Sequence, residues 1–399
     1  MAKEMAPEYK VLFDLIANAL FSAGVEINPE NVSLEKLYDE AKHQTVVGIT
    51  FDVLPEAACK RNKDVYGKWQ AHAFMILKNN IGQMYANAEL EKIFSKAGVD
   101  FCTFKGFASA YYYPNKSLRQ MGDIDFIIPQ KDFSKGKELL NENGFKCIDE
   151  DEIHTYHIGY VKNKTHYEMH KSVTELSNKS EKINELVKDI YENSVKIPLD
   201  DVEITVPAPF LHGVIMLLHM KRHMTTGGGI GLRHLCDWAV FVNSFDASEW
   251  KELFESRLKE YGLWEFARAI SQVASIYLKM PSRDWFCDVE EELAEDLLCD
   301  IMLGGNFGHK DIGRYQELVF INQNNGAGAS KRGFFSKLSK KVREWHPVFR
   351  KNKIMFFFGL FAYPVRTAVL MVLGKRQNIF AEKRTSGTKR NDLYDRIFK

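Results

Sequence analysis

Two acids separated by one residue stand inside an apolar run at Gly122-Asp123-Ile124-Asp125-Phe126-Ile127-Ile128. The run is rich in β-branched and aromatic residues and is stopped by Pro129, so it reads as a strand. Side chains two apart on a strand point to the same face, which forces Asp123 and Asp125 side by side. Paired carboxylates on a half-buried face repel each other, and loss of water deepens the cost. A bound cation relieves it. Hard oxygen ligands suit Mg²⁺ or Mn²⁺, usually together with substrate phosphates. Glu168, between apolar neighbours in Tyr167-Glu168-Met169-His170, completes such a site if its strand lies alongside. The competing reading is that Asp123 merely begins the strand and Asp125 faces solvent.

The surrounding pattern is that of a small α/β unit. Val99–Phe104 reads as a strand closed by Lys105-Gly106, and residues 107–113 suit a short helix ended by Pro114. A glycine between strand and helix lets backbone N–H groups approach a phosphate, although it is also an ordinary connector. A helix over Lys131–Glu142 follows, then strands at Ile158–Val161 and His166–His170 turning at Asn163-Lys164, then an extended pair within Val195–Pro209. Residues 8–95 carry apolar positions at helical spacing, and helical spacing resumes after Pro209 to about residue 322, broken by Gly227-Gly228-Gly229. The expected organisation is an N-terminal helical region (1–95), an α/β core (96–210), a helical domain (211–322), a linker (323–332) and a basic, apolar helical tail (333–399).

Together these elements resemble the nucleotidyltransferase superfamily of DNA polymerase β, marked by a Gly-containing turn, an Asp-x-[Asp/Glu] strand and a later third acid. More closely, Phe104-Lys105-Gly106-Phe107-Ala108, Tyr113-Pro114, Leu118-Arg119 and Gly122-Asp123-Ile124-Asp125 are similar to the pattern of the bacterial uncharacterised nucleotidyltransferase family. The likeness continues at Tyr167-Glu168-Met169-His170 and at Gly231-Leu232-Arg233-His234-Leu235-Cys236-Asp237-Trp238, and covers roughly 100–245. It implies an α+β fold: a small mixed β-sheet core of the polymerase β type with helical N-terminal and C-terminal parts. It implies metal-dependent transfer of a nucleotidyl group from an NTP to an acceptor that the sequence does not identify. Asp123, Asp125 and Glu168 would be the catalytic metal ligands for Mg²⁺ or Mn²⁺, with Gly106 in the phosphate-binding turn. One departure stands out: where the superfamily has Gly-Ser or Gly-Gly, Gly106 is followed by Phe107. Lys105, Ser109 or Arg119 must then supply the phosphate contact. Two alternatives remain open. One is a catalytically inactive binding or membrane-docking module. The other is an Asp-x-Asp glycosyltransferase, which normally needs a larger nucleotide-binding sheet before the motif.

A second cluster ends an apolar helix at His219, Lys221, Arg222 and His223. His219 and His223 share a helix face at metal-ligand spacing, but no Glu follows His219 as a zinc-protease motif requires. Basic residues also suit a helix C-terminus, so capping competes with a functional role. In that role His219, Arg222, Arg233 and His234 form a second wall for nucleotide or acceptor, and Asp237 orients one of them. His154 and His157 lie near the same strands without a decisive spacing.

Composition enters through charge. The chain carries 54 Lys+Arg and 53 Asp+Glu over 399 residues. From Lys331 onward the count is 18 basic to 4 acidic, against 36 to 49 before it. An acidic body thus carries a basic end, and such asymmetry points to a partner for the tail. Within the tail, Ile354–Gly374 is apolar but contains Pro364 and Arg366. A central Arg is costly in hydrocarbon, so two short helices broken at Tyr363-Pro364 fit better than a membrane span. They would dock on the acidic body or lie on an anionic membrane, with 331–375 making peripheral contact. The tail's aromatic residues do not interleave with its basic ones, which argues against nucleic acid. Six cysteines without a Cys-x-x-Cys pair, and acids inside the first apolar run, point to a cytoplasmic protein, at most peripheral to the inner face of the membrane.

Overall fold

Five short strands assemble into one mixed sheet: β1 (Cys102–Phe104), β2 (Ile124–Ile127), β3 (Lys146–Asp149), β4 (His157–Lys162) and β5 (Thr165–His170), in the order β1-β2-β5-β4-β3. The computed structural model describes residues 5–28, 32–149, 157–173, 190–311, 348–372 and 380–398, with isolated positions between them. The expected linker at 323–332 lies outside the described residues, as does His154. Strand β2 runs antiparallel to β1 and parallel to β5, and β4 pairs antiparallel with both β5 and β3.

Strict alternation gives the sheet two different faces. Ile124, Phe126, Ile158, Tyr160, Tyr167 and Met169 point to one side and pack with Leu90, Phe94, Phe101 and Leu140. Leu90 and Phe94 come from the end of the 34-residue helix α5 (Lys63–Lys96), Leu140 from α7 (Phe133–Glu142), and Phe101 from the residue before β1. The earlier helices are α1 (Pro7–Phe21), α2 (Leu34–His43), α3 (Val47–Phe51) and α4 (Glu56–Arg61), and α6 (Gly106–Ala110) follows β1 directly. On the other side of the sheet, Cys102, Phe104 and Ile127 pack on Leu211 and Ile215 of α8 (Pro209–Thr226). A hairpin of β6 (Ser194–Leu199) and β7 (Val202–Pro207) leads into α8.

A larger core lies beyond α8. It joins α1 and α3 to α9 (Leu232–Asn243), α10 (Trp264–Leu278) and α11 (Glu291–Gly304) around Trp238, Phe241, Trp250 and Phe254. Leu12, Leu15 and Ile16 of α1 are fully buried there. The N-terminal helices and the helices after residue 209 therefore share one core, and α5 connects it to the underside of the sheet through Trp69 and Ile76. The Trp69 indole N–H donates to the Val47 carbonyl at 3.0 Å, which satisfies its polar atom inside that core.

Local departures from the sequence reading have simple causes. The strand expected at Val99–Phe104 is hydrogen-bonded only over Cys102–Phe104, and the helix expected over 107–113 ends at Ala110. β3 was not foreseen: it is an edge strand of four residues whose Ile148 is exposed, so it lacks the alternating apolar signal. One expectation is corrected. Residues 354–372 do not break at Tyr363-Pro364 but continue as a single helix, α12 (Lys353–Val372), through Pro364. Proline removes one helix hydrogen bond and crowds the carbonyl four residues back. On a helix as exposed as this one, water can satisfy that carbonyl. Among the described residues, no helix is long and apolar enough to cross a membrane.

The last helix, α13 (Phe380–Ile397), returns to the body. Arg390 pairs with Asp300 at 3.0 Å and with Glu317 at 3.0 Å, and the buried Tyr394 hydroxyl donates to Asp300 at 2.9 Å. Part of the basic end thus finds its counter-charge on the acidic body.

Candidate active site

The parallel register of β2 and β5 sets Asp125 directly beside Glu168. Paired residues on neighbouring strands face the same way, and Asp123 lies two positions before Asp125 at the strand's start. Three carboxylates therefore converge on one face of the sheet. Burial, then the Glu168 and Asp125 charges, push the Asp123 carboxyl above the usual range. Asp125 moves the opposite way. Burial alone would raise it, but Lys105 and His170 hold it well below the usual carboxylate range. The Lys105 ammonium donates to Asp125 Oδ1 at 2.5 Å, and His170 Nε2 lies 2.8 Å from the same oxygen. Lys105 itself has φ 62° and ψ −110°, a left-handed conformation uncommon outside glycine and typical of functional turns.

The neighbouring acid is enclosed by histidines. His170 Nε2 lies 3.2 Å from Glu168 Oε2, and His157 Nε2 lies 3.4 Å from Glu168 Oε1. Burial holds His157 below the ordinary histidine value despite the Glu168 charge. This donor set of carboxylate oxygens and imidazole nitrogens fits a divalent cation, because repelling acids on a partly buried face need positive charge.

Arg119 is placed differently from the expected phosphate clamp. Its Nε donates to Asp237 Oδ1 at 2.9 Å and its Nη2 to Asp237 Oδ2 at 2.6 Å, and the Tyr113 hydroxyl donates to the same carboxylate at 2.7 Å. Burial pushes Asp237 up, but Arg119 more than reverses this and holds the carboxyl below its usual range. Asp237 therefore orients Arg119 rather than a histidine. Ser109 is buried, with its hydroxyl 3.7 Å from Met216 Sδ.

One cavity of about 350 Å³ connects these groups. Lys105, Gly106, Ser109, Arg119, Asp123, Asp125 and Glu168 line one side of it. His219, Arg222, His223, Arg233 and His234 line the other, joined by His212 and Phe307. The expected second wall is thus brought opposite the acids. His219 and His223, one turn apart, meet edge to face with ring centroids 4.4 Å apart. Burial, then the His223 charge, holds His219 well below the ordinary value, and burial followed by Arg222 puts His223 at about 3. Burial and then Arg119 lower Arg233 to about 10. This wall consequently combines neutral imidazoles with guanidinium charge. Both ring nitrogens of His212, and Nε2 of His234, have no hydrogen-bond partner among the described residues.

The model of the uncharacterised nucleotidyltransferase family matches residues 30–279. The chain belongs to that family. No curated protein matches it. The matched stretch takes in the whole sheet, α8, α9 and every site residue expected from the sequence, and it fits a role in nucleotidyl transfer. Phe307 lies outside it, in the turn after α11. Its ring centroid lies 4.5 Å from His223 and 5.1 Å from His234, and the Arg233 guanidinium lies 5.6 Å from the ring. The residue sits at φ 56°, between Gly305 and Gly308, which also have positive φ. A left-handed non-glycine residue costs about 1 kcal/mol or more, so packing holds this ring in the nucleotidyltransferase's cavity. Sequence reading missed Phe307, whose neighbours carry no pattern, and His212, which had a usable signal because it lies seven residues before His219 on one face of the same helix. His170 had a usable signal, because it lies two residues after Glu168 and so shares its face.

Proposed function

We propose that the protein transfers a nucleotidyl group from an NTP to an acceptor hydroxyl, with Asp123, Asp125 and Glu168 holding the divalent cations. The observation that carries this reading is the convergence of three carboxylates, Asp123 raised by burial and by its acidic neighbours, on a cavity that Arg222 and Arg233 also line. Bound cations would neutralise the triphosphate and lower the pKa of the attacking hydroxyl. Gly106 opens α6 at the cavity edge and leaves room for phosphate. Lys105, Arg222 and Arg233 supply positive charge to the phosphates, while the Arg119–Asp237 pair fixes the floor. Glu168 takes the proton from the acceptor hydroxyl. The hydroxyl oxygen then bonds to the α-phosphorus, the bond from the α-phosphorus to its bridging oxygen breaks, and pyrophosphate leaves with that electron pair.

The test is labelling of cell extract with each of the four α-phosphate-labelled NTPs and Mg²⁺ or Mn²⁺. Wild type should label one fraction. Asp123→Ala and Asp125→Ala should each lose at least about a thousandfold, the scale expected when electrostatic stabilisation is removed. Labelling that survives in both variants excludes the reading.

A specific observation also favours a location. Ile354, Phe357, Phe358, Phe361 and Val365 of α12 are 63–70% exposed and fall on one helix face. No Asp or Glu occurs between Glu344 and Glu382, and Arg350, Lys351, Lys353 and Arg366 fall within that stretch of sequence. Amphipathic helices of this kind lie in the plane of an anionic bilayer. We therefore infer that α12 rests on the membrane surface.

A further inference from the structure

We infer that His157 and His170 join Glu168 as direct ligands of a divalent cation, which makes the centre a mixed nitrogen–oxygen site selective for Mn²⁺, Co²⁺ or Zn²⁺ over Mg²⁺. The inference deepens the metal-dependent reading and rests on it. The geometry starts from register. His157 is the cross-strand partner of His170, and Gly159 is the partner of Glu168. Both imidazoles therefore flank Glu168 on one face, and the position opposite the acid carries no side chain to fill the space.

The ligand atoms already converge. One nitrogen from each histidine and one Glu168 oxygen lie within 4.8 Å of one another. The two imidazole-to-carboxylate separations are 3.4 and 3.2 Å. Metal–ligand bonds of about 2.0–2.2 Å in tetrahedral geometry place ligand atoms about 3.3–3.6 Å apart, close to these two separations, which run to different Glu168 oxygens and so close on one ion after a small side-chain rotation. Asp125, 2.8 Å from His170 Nε2, is within reach as a further oxygen donor. The chemistry then decides the metal. Mg²⁺ strongly prefers oxygen and holds its water, whereas imidazole suits later divalent ions. Carboxylates alone would carry a much weaker preference.

The test uses the full chain, stripped with chelator, and metal alone as probe. Co²⁺ titration followed by visible absorption should give a saturable ligand-field spectrum. Tenfold excess Mg²⁺ should leave it in place. His157→Ala and His170→Ala should weaken Co²⁺ binding at least about tenfold. His157→Gln, which keeps the volume and a polar end, gives a second reading if an alanine variant fails to fold, and metal-free thermal melts report folding. Unchanged Co²⁺ binding in folded His157 variants, or displacement by equimolar Mg²⁺, overturns the inference. In that case Mg²⁺-dependent labelling, lost in Asp123→Ala, can still stand. Conversely, histidine-dependent Co²⁺ binding without labelling by any NTP sinks the transfer reading and leaves the metal site intact.

Discussion

Arg119 and Asp237, 118 positions apart, meet in a two-pronged buried ion pair that the Tyr113 hydroxyl completes from a third direction. The pair joins the turn before the acidic strand to α9, and so ties the sheet to the helical core at the cavity floor. Removing one partner leaves a buried charge uncompensated. Asp237→Ala should therefore lower the unfolding free energy by about 3–5 kcal/mol, read from urea denaturation. Tyr113→Phe should cost less, about 1.5–3 kcal/mol, the range for one hydrogen bond to a charged group. The double variant Arg119→Met/Asp237→Leu should recover much of the loss, because two apolar side chains need no pairing.

Buried neutral histidines make stability depend on acidity in a defined direction. Burial lowers His212 to about 4, although Asp237 opposes the shift, so between pH 6.5 and 4 the unfolded chain binds the proton and the folded chain does not. Stability is then full above about pH 6.5 and falls as pH drops. His212 alone should account for about 2 kcal/mol between pH 7 and pH 5. The melting temperature should fall over that range, and His212→Phe should flatten the fall. A variant with the wild-type pH profile would refute this assignment.

The turn that carries Phe307 is held by a close backbone approach. A Cβ on Gly228 would come 2.5 Å from the Gly308 Cα and 2.8 Å from the Phe307 carbonyl oxygen. These neighbours are backbone and cannot swing aside, so Gly228→Ala must separate the two loops. The expected cost is about 1–3 kcal/mol, with a melting temperature lower by several degrees. By contrast Gly67, whose added Cβ meets nothing within 4 Å, should tolerate alanine with no loss.

The exposed ridge on α12 gives a separate prediction. The protein should float with vesicles of phosphatidylcholine and phosphatidylserine but not with phosphatidylcholine alone. Raising salt should weaken binding, because screening removes the attraction of Arg and Lys to the anionic surface. Phe358→Glu/Phe361→Glu should abolish flotation while leaving the melting temperature unchanged, since both rings are exposed. Retained flotation in that variant would rule out the ridge as the contact.

Much of the site was legible because its signals are local. The alternation of a strand puts Asp123 and Asp125 on one face whatever they pack against, and the glycine after β1 marks the entry to α6 without reference to the rest of the chain. The histidine pair at 219 and 223 likewise follows from helical period alone. Other features gave no local sign. β3 is a short edge strand, the turn at Phe307 reads as an ordinary glycine-rich connection, and α12 persists through a proline expected to break it.

Local sequence dictates which groups are on offer: two acids forced together on a strand, a glycine turn before them, and a third acid in a later strand. Which of these groups meet depends on long-range packing. The parallel pairing of β2 with β5 brought Glu168 and His170 beside Asp125. The packing of α9 under the turn claimed Arg119 for Asp237. The physical reason is range. Side-chain direction along a strand or helix follows from backbone geometry within a few residues, but partners more than a hundred residues apart are selected by which apolar faces bury against each other.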